Sequence, residues 1–109
     1  MDMPVTHSWM RICELSEIPR LGSRVLEREA GNVAIFRTSQ DKVFALLDRC
    51  PHKGGALSQG IVHGDSVTCP LHAWNIDLAS GNAKAPDEGC SRHFPVHIDE
   101  LGAVHLCLT

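Results

Sequence analysis

Short apolar runs alternate with turn residues along this chain, and no stretch sustains apolar positions at i, i+3, i+4 and i+7. Turn signals recur roughly every 8–12 residues, the rhythm of an all-β sandwich or barrel. The pattern predicts strands over residues 9–13, 24–29, 32–38 and 42–47, then 61–63, 66–68 and 74–77, and finally 94–99 and 103–108. Gly31-Asn32, Gly64-Asp65, Gly81-Asn82 and Gly102 punctuate them as turns. One helical turn is expected over 16–19. The last two strands read most clearly as a hairpin. Phe94, Val96, Ile98, Val104, Leu106 and Leu108 make one face, directed at the core; Pro95, His97, Asp99, Ala103, His105 and Cys107 make the other, directed at solvent. Trp9 and Cys13 are expected in the core. Residues 1–8 carry no core pattern and are expected to be a flexible tail, leaving 9–109 as a single domain.

Composition narrows the function classes. Hydrophobic residues make up 43% and charged residues 21%, as in a folded globular domain. The net charge is −3 with scattered basic residues, which argues against nucleic acid, since phosphate binding needs a concentrated basic face. No apolar run approaches the roughly 18 residues of a membrane span. Met1-Asp2-Met3-Pro4 lacks the basic start and apolar stretch of a secretory signal, so a cytoplasmic location is expected. Five cysteines in that setting read as thiols or metal ligands, not as a disulfide framework.

Two loops carry the chemistry: Cys50-Pro51-His52-Lys53-Gly54-Gly55 and Cys69-Pro70-Leu71-His72-Ala73-Trp74. Together they spell C-x-H, sixteen intervening residues, then C-x-x-H. This is the pattern of a Rieske [2Fe–2S] centre, in which two histidines replace two thiolates on one iron. Cys50 and Cys69 are the expected ligands of the inner iron, His52 and His72 of the outer one. A zinc site also accepts two cysteines and two histidines, but zinc fingers pair like ligands on one loop, and here each loop is mixed. The diferric core carries two positive charges, which two thiolates neutralise, so an added electron is accommodated more easily than at a four-thiolate cluster. Pro51 and Pro70 restrict φ beside each cysteine, and Gly54 and Gly55 allow backbone N–H groups to approach sulfide. The chain has no tyrosine, and Ala73 follows His72 where a hydroxyl donor would sit. A potential near the low end of about −150 to +300 mV is therefore expected. Pro86 falls in a third loop, placed to cover the cluster.

The remaining candidates read more plainly. Cys13, Cys90 and Cys107 are expected to be ordinary thiols, Cys90 lacking an evident basic cluster to activate it. His97 and His105 are expected to face each other on the solvated side of the last hairpin. His63 and His7 carry no argument. Trp74 is expected to pack in the core, and Lys53 to be solvated or to face an acidic partner.

The text from Cys50 to Val62, then Cys69 to Trp74, then Ala85-Pro86-Asp87-Glu88-Gly89-Cys90, resembles the small subunit of the assimilatory NAD(P)H-dependent nitrite reductase, over nearly the whole chain. Asp87-Glu88-Gly89-Cys90 and Trp74 favour this branch over ferredoxins that serve aromatic-ring dioxygenases. The resemblance implies an all-β, Rieske-type antiparallel β-sandwich with a cluster-binding subdomain inserted over about 50–78. It also implies one [2Fe–2S] cluster, and a large partner subunit bearing flavin, iron–sulfur and sirohaem that reduces nitrite to ammonia. No G-x-G-x-x-G occurs, so hydride from NAD(P)H must be taken by another chain. Two alternatives stand beside this reading: a free-standing ferredoxin feeding a dioxygenase, and an assembly subunit with no redox part in turnover.

Overall fold

The computed structural model describes residues 9–51, 54–71, 73–85 and 87–108. Ten strands form three antiparallel sheets among these residues. Strands β1 (Trp9–Glu14), β9 (Val96–Ile98) and β10 (Ala103–Cys107) make one sheet in the order β1-β10-β9. Strands β2 (Gly22–Leu26), β3 (Val33–Arg37), β4 (Val43–Leu47) and β8 (His93–Phe94) make the second, in the order β2-β3-β4-β8. Strands β5 (Ile61–His63), β6 (Ser66–Thr68) and β7 (Asn75–Asp77) make a small third sheet.

The second sheet is the middle layer, and its sequence explains why. A strand covered on one face alternates apolar and polar residues; one covered on both reads as continuously apolar. Val33, Ala34, Ile35 and Phe36 are all fully buried. Val33 and Ile35 join Val43, Ala45, Phe94, Val104 and Leu106 in a core against the first sheet. Ala34 and Phe36 join Leu46, Leu57, Val62, Val67, Ile76, Cys50 and Cys69 in a second core, against the third sheet. The loops proposed to hold the cofactor are thus seated on a packed layer.

Gly31, Gly64, Gly81 and Gly102 all adopt positive φ, as their turns require. The third-sheet strands fall where the sequence places them, and residues 15–17 form a short 3₁₀ turn closed by reciprocal Glu14–Glu17 backbone bonds.

Four expectations are corrected. The strand expected over 24–29 lies at Gly22–Leu26, because each of its residues pairs with the buried strand β3, from Gly22 opposite Arg37 to Leu26 opposite Val33. The run over 94–99 is two strands: β8 pairs with β4 and β9 with β10, and the chain changes sheets at Pro95, which has no N–H to give to a ladder. Trp9 is not core but 45% exposed. Ala103 and Cys107, expected to face solvent, are buried. Strand β10 is central, and the Trp9 and His97 rings, from the strands on either side, meet 5.9 Å apart over its outer face. Cys107, opposite Trp9 in the ladder, is buried beneath them. The expected tail, residues 1–8, lies outside the described residues. None of the described helices is long and apolar enough to cross a membrane.

Candidate metal centre

The first ligand loop leaves β4 and returns through a 3₁₀ turn, Leu57–Gln59, which the sequence pattern did not predict. The second joins β6 to β7. Their backbones are built alike. In the first, Cys50 N–H donates to Gly55 O at 2.7 Å and Gly54 N–H donates to Cys50 O at 2.9 Å. In the second, Cys69 N–H donates to Trp74 O at 2.7 Å and Ala73 N–H donates to Cys69 O at 3.1 Å. Each loop therefore closes on its cysteine from four and five residues ahead. In each, the residue four after the cysteine has positive φ: Gly54 at 73° and Ala73 at 57°. Glycine meets that demand without strain, whereas alanine carries a Cβ there. Each loop also places its histidine between the cysteine and this turn, at the second position after Cys50 and the third after Cys69. His52 and His72 themselves, with Lys53 and Pro86, lie outside the described residues.

Three contacts fix the loops. Asp48, two residues before Cys50, accepts from the N–H and the hydroxyl of Ser58, both at 2.7 Å, and so closes the base of the first loop. A Cβ on Gly55 would stand 3.4 Å from Cys69 Sγ and 2.8 Å from Leu71 Cδ1, so the first loop's backbone lies directly against the second loop's thiol. The third loop touches both: a Cβ on Gly89 would meet Pro51 at 2.9 Å and the Trp74 ring at 3.8 Å. It is tied to β7 by Lys84 N–H donating to Asn75 O and closed on itself by Ala83 N–H donating to Gly89 O, each 2.8 Å. Trp74 is half-buried against the core.

Cys50 and Cys69 are each 2% exposed, belong to one apolar cluster and form no disulfide. That fits a cofactor held by thiolates on its inner side, with apolar packing behind it and the mixed loop tips in front. Leu71, between Pro70 and His72, is 53% exposed at such a tip.

Among the other cysteines, burial pushes the Cys13 thiol upward from its ordinary value, as suits a core residue. Cys90 is exposed in the third loop and lines a cleft with Arg49 and Arg92, a basic setting that sequence spacing did not reveal. His97 and His105 do face each other, ring centroids 5.9 Å apart. The described residues contain no group of three or more potential metal ligands.

The family model for the Rieske [2Fe-2S] domain matches residues 8–95. The anthranilate 1,2-dioxygenase ferredoxin subunit of Burkholderia cepacia is 40% identical over 67 residues, 61% of either chain. The 4beta-methylsterol monooxygenase of Methylococcus capsulatus is 37% identical over 71 residues, 65% of this chain but 16% of that protein. The match thus spans less than two thirds of either relative. A solved structure assigned provisionally as the NADPH nitrite reductase small subunit superimposes with a TM-score of 0.79 at 26% identity, covering 91% of this chain and 97% of that one.

Proposed function

The chain belongs to the Rieske [2Fe-2S] domain family, and we propose that it serves NAD(P)H-dependent nitrite reductase as the electron-carrying small subunit. The family carries one [2Fe–2S] cluster, which supplies reversible one-electron transfer near neutral pH. In this reading Cys50, His52, Cys69 and His72 hold it. Pro51 and Pro70 keep the cysteines out of regular structure. The positive-φ turns at Gly54 and Ala73 bend each loop back on its cysteine, and Asp48 with Ser58 holds the first loop's base. Leu57, Val62, Val67 and Ile76 exclude water behind the two thiols.

The observation that carries the nitrite reductase reading is the third loop. Asp87-Glu88-Gly89-Cys90 and Trp74 are the residues of that resemblance, and Gly89 packs against Pro51 of one ligand loop and Trp74 of the other. The 26%-identical solved structure, similar over almost its full length, supports the same branch. A second reading, a ferredoxin supplying an aromatic-ring dioxygenase, is favoured by the 40% identity to the anthranilate enzyme's ferredoxin subunit.

Co-purification from the native host separates them: a sirohaem subunit is expected, and a terminal oxygenase in its place overturns the proposal. Electron relay is tested in the same complex by His72→Ala. Nitrite turnover with NAD(P)H is expected to fall at least about tenfold while assembly persists. Undiminished turnover would leave only an assembly role. The dithionite-reduced protein should give the low average g value of mixed histidine–cysteine ligation.

A further inference from the structure

The lysines and arginines among the described residues fall into two groups. Arg11 pairs with Glu14, Arg20 and Arg37 with Asp41, Arg24 with Glu17 and Lys42 with Asp65. Lys84, Arg28, Arg49 and Arg92 have no carboxylate partner among the described residues, and the three arginines belong together. They come from three distant places in the sequence and meet at one place in the fold. The Arg28 and Arg92 guanidinium groups lie over the same Phe94 ring, 5.2 and 4.7 Å from its centroid. Arg49 and Arg92 line a cleft of about 280 Å3 whose wall includes Cys50, Pro51 and Cys90. Arg49 also lines a second cleft, of about 340 Å3, that runs past Gly54 to Gly31 and Asn32. There Arg28 Nε donates to Gly31 O at 2.8 Å. The two clefts share Leu47, Arg49 and Gly54 and so adjoin as a groove on the flank of the first ligand loop, with Arg28 at its rim through Gly31.

We propose that Arg28, Arg49 and Arg92 form the docking face for a carboxylate-rich surface of the protein with which this chain exchanges its electron. The proposal rests on the electron-carrier reading and adds the chemistry of the partner. Overall the chain is acidic, with a net charge of −3, and here three guanidinium groups without a carboxylate partner gather beside Cys50. Carboxylates also stand nearby, unpaired with these arginines. Asp48 lines the second cleft and accepts from Ser58 through both oxygens, keeping its charge. Glu27, Glu29, Asp87 and Glu88 neighbour the groove in sequence, and none of them forms an ion pair with the three arginines. Arg28 and Arg92 are held in place by the Phe94 ring, and a fixed guanidinium fork loses less entropy on meeting a carboxylate. A positive face beside an acidic partner's electron port raises encounter rates and sets orientation, and salt screens both.

The test uses the cluster-loaded protein, reduced with dithionite and oxidised in a stopped-flow instrument at low salt. The probes are a trianionic oxidant, tris(oxalato)cobaltate(III), and a tricationic one, hexaammineruthenium(III). The readout is the ratio of the two rates. Arg49→Gln/Arg92→Gln is expected to lower that ratio by about fivefold or more, through loss of two local charges. Arg49→Gln, which leaves the Phe94 stack intact, should lower it by a smaller factor. Arg11→Gln/Arg24→Gln, which removes the same net charge from paired sites, should change it little. Equal effects of the two double variants, or no effect of either, overturn the proposal.

In a second arm the wild type and Arg49→Gln/Arg92→Gln exchange electrons with the purified sirohaem subunit. The variant should be slower at low salt and lose most of its salt dependence; equal rates overturn the proposal. A wild type that passes no electrons to the sirohaem subunit sinks the nitrite reductase reading instead. The terminal oxygenase of an aromatic-ring dioxygenase then takes its place in this arm, with the same two outcomes.

Discussion

At Gly55 the two ligand loops press together, and a side chain there is crowded by its neighbours. A Cβ there would stand 2.8 and 2.9 Å from the end of Leu71 and 3.4 Å from Cys69 Sγ. The thiol is locked in the core, whereas Leu71 is half-exposed and its tip can move. Gly55→Ala is therefore expected to push the Leu71 tip outward and to lower the unfolding free energy by about 1 kcal/mol, the low end of the cost of overpacking. Adding Leu71→Ala to the same chain should restore most of that. Urea unfolding with iron counted per chain checks both. A single variant as stable and as iron-loaded as the wild type would mean that the loops are not in contact at Gly55. Proline, glycine and the mixed cysteine–histidine spacing made this site legible from sequence, because each is a local demand on backbone or ligand. The contact itself was not legible, since Gly55 and Cys69 lie on separate loops.

The element whose chemistry is most self-contained is the β9–β10 hairpin. Asp99 Oδ1 accepts from Leu101 N–H at 2.9 Å and Ala103 N–H at 3.0 Å, while Oδ2 lies 2.9 Å from His105 Nε2. The His105 bond first, and the Ala103 N–H next, pull the Asp99 carboxyl down to about 2 from an ordinary 3.8. A carboxyl more acidic in the folded chain than in the unfolded one stabilises the fold above the unfolded value, and that stabilisation is lost as pH falls through the folded one. The difference in urea midpoint between the wild type and Asp99→Asn should thus be fully present at about pH 5 and shrink below about pH 4. A difference that does not change between pH 5 and pH 3 would contradict this. Period-two alternation located this hairpin, yet it failed twice nearby. It ran β8 and β9 together, because a strand that changes sheets at Pro95 keeps its alternation while exchanging its partners. It also sent Cys107 to solvent, because alternation cannot register that Trp9 and His97 meet over a central strand. The arginine groove escaped the sequence for a related reason: Arg28 follows β2, Arg49 follows β4 and Arg92 precedes β8.

Across the whole molecule, the middle sheet divides the interior into two cores with different duties. One packs the sandwich; the other packs the sandwich against the ligand loops. Leu106 and Leu57 are both fully buried, one in each core, so the same truncation can be made on either side of the sheet. Leu106→Ala and Leu57→Ala are each expected to cost about 2–5 kcal/mol of stability. Their redox consequences should differ. Leu57 shares its core with Cys50 and Cys69, and a cavity there opens the thiols' apolar backing to water. In the proposed ligand set of two thiolates and two neutral imidazoles, the oxidised centre would be neutral and the reduced centre would carry one negative charge. A more polar surrounding favours the charged form. Leu57→Ala should therefore raise the midpoint potential and release iron faster, while Leu106→Ala, behind the intervening sheet, should do neither. Protein-film voltammetry on the two variants, with stability matched by urea unfolding, decides it. Equal shifts from both would mean that the potential follows global stability and that the middle sheet does not insulate the two cores.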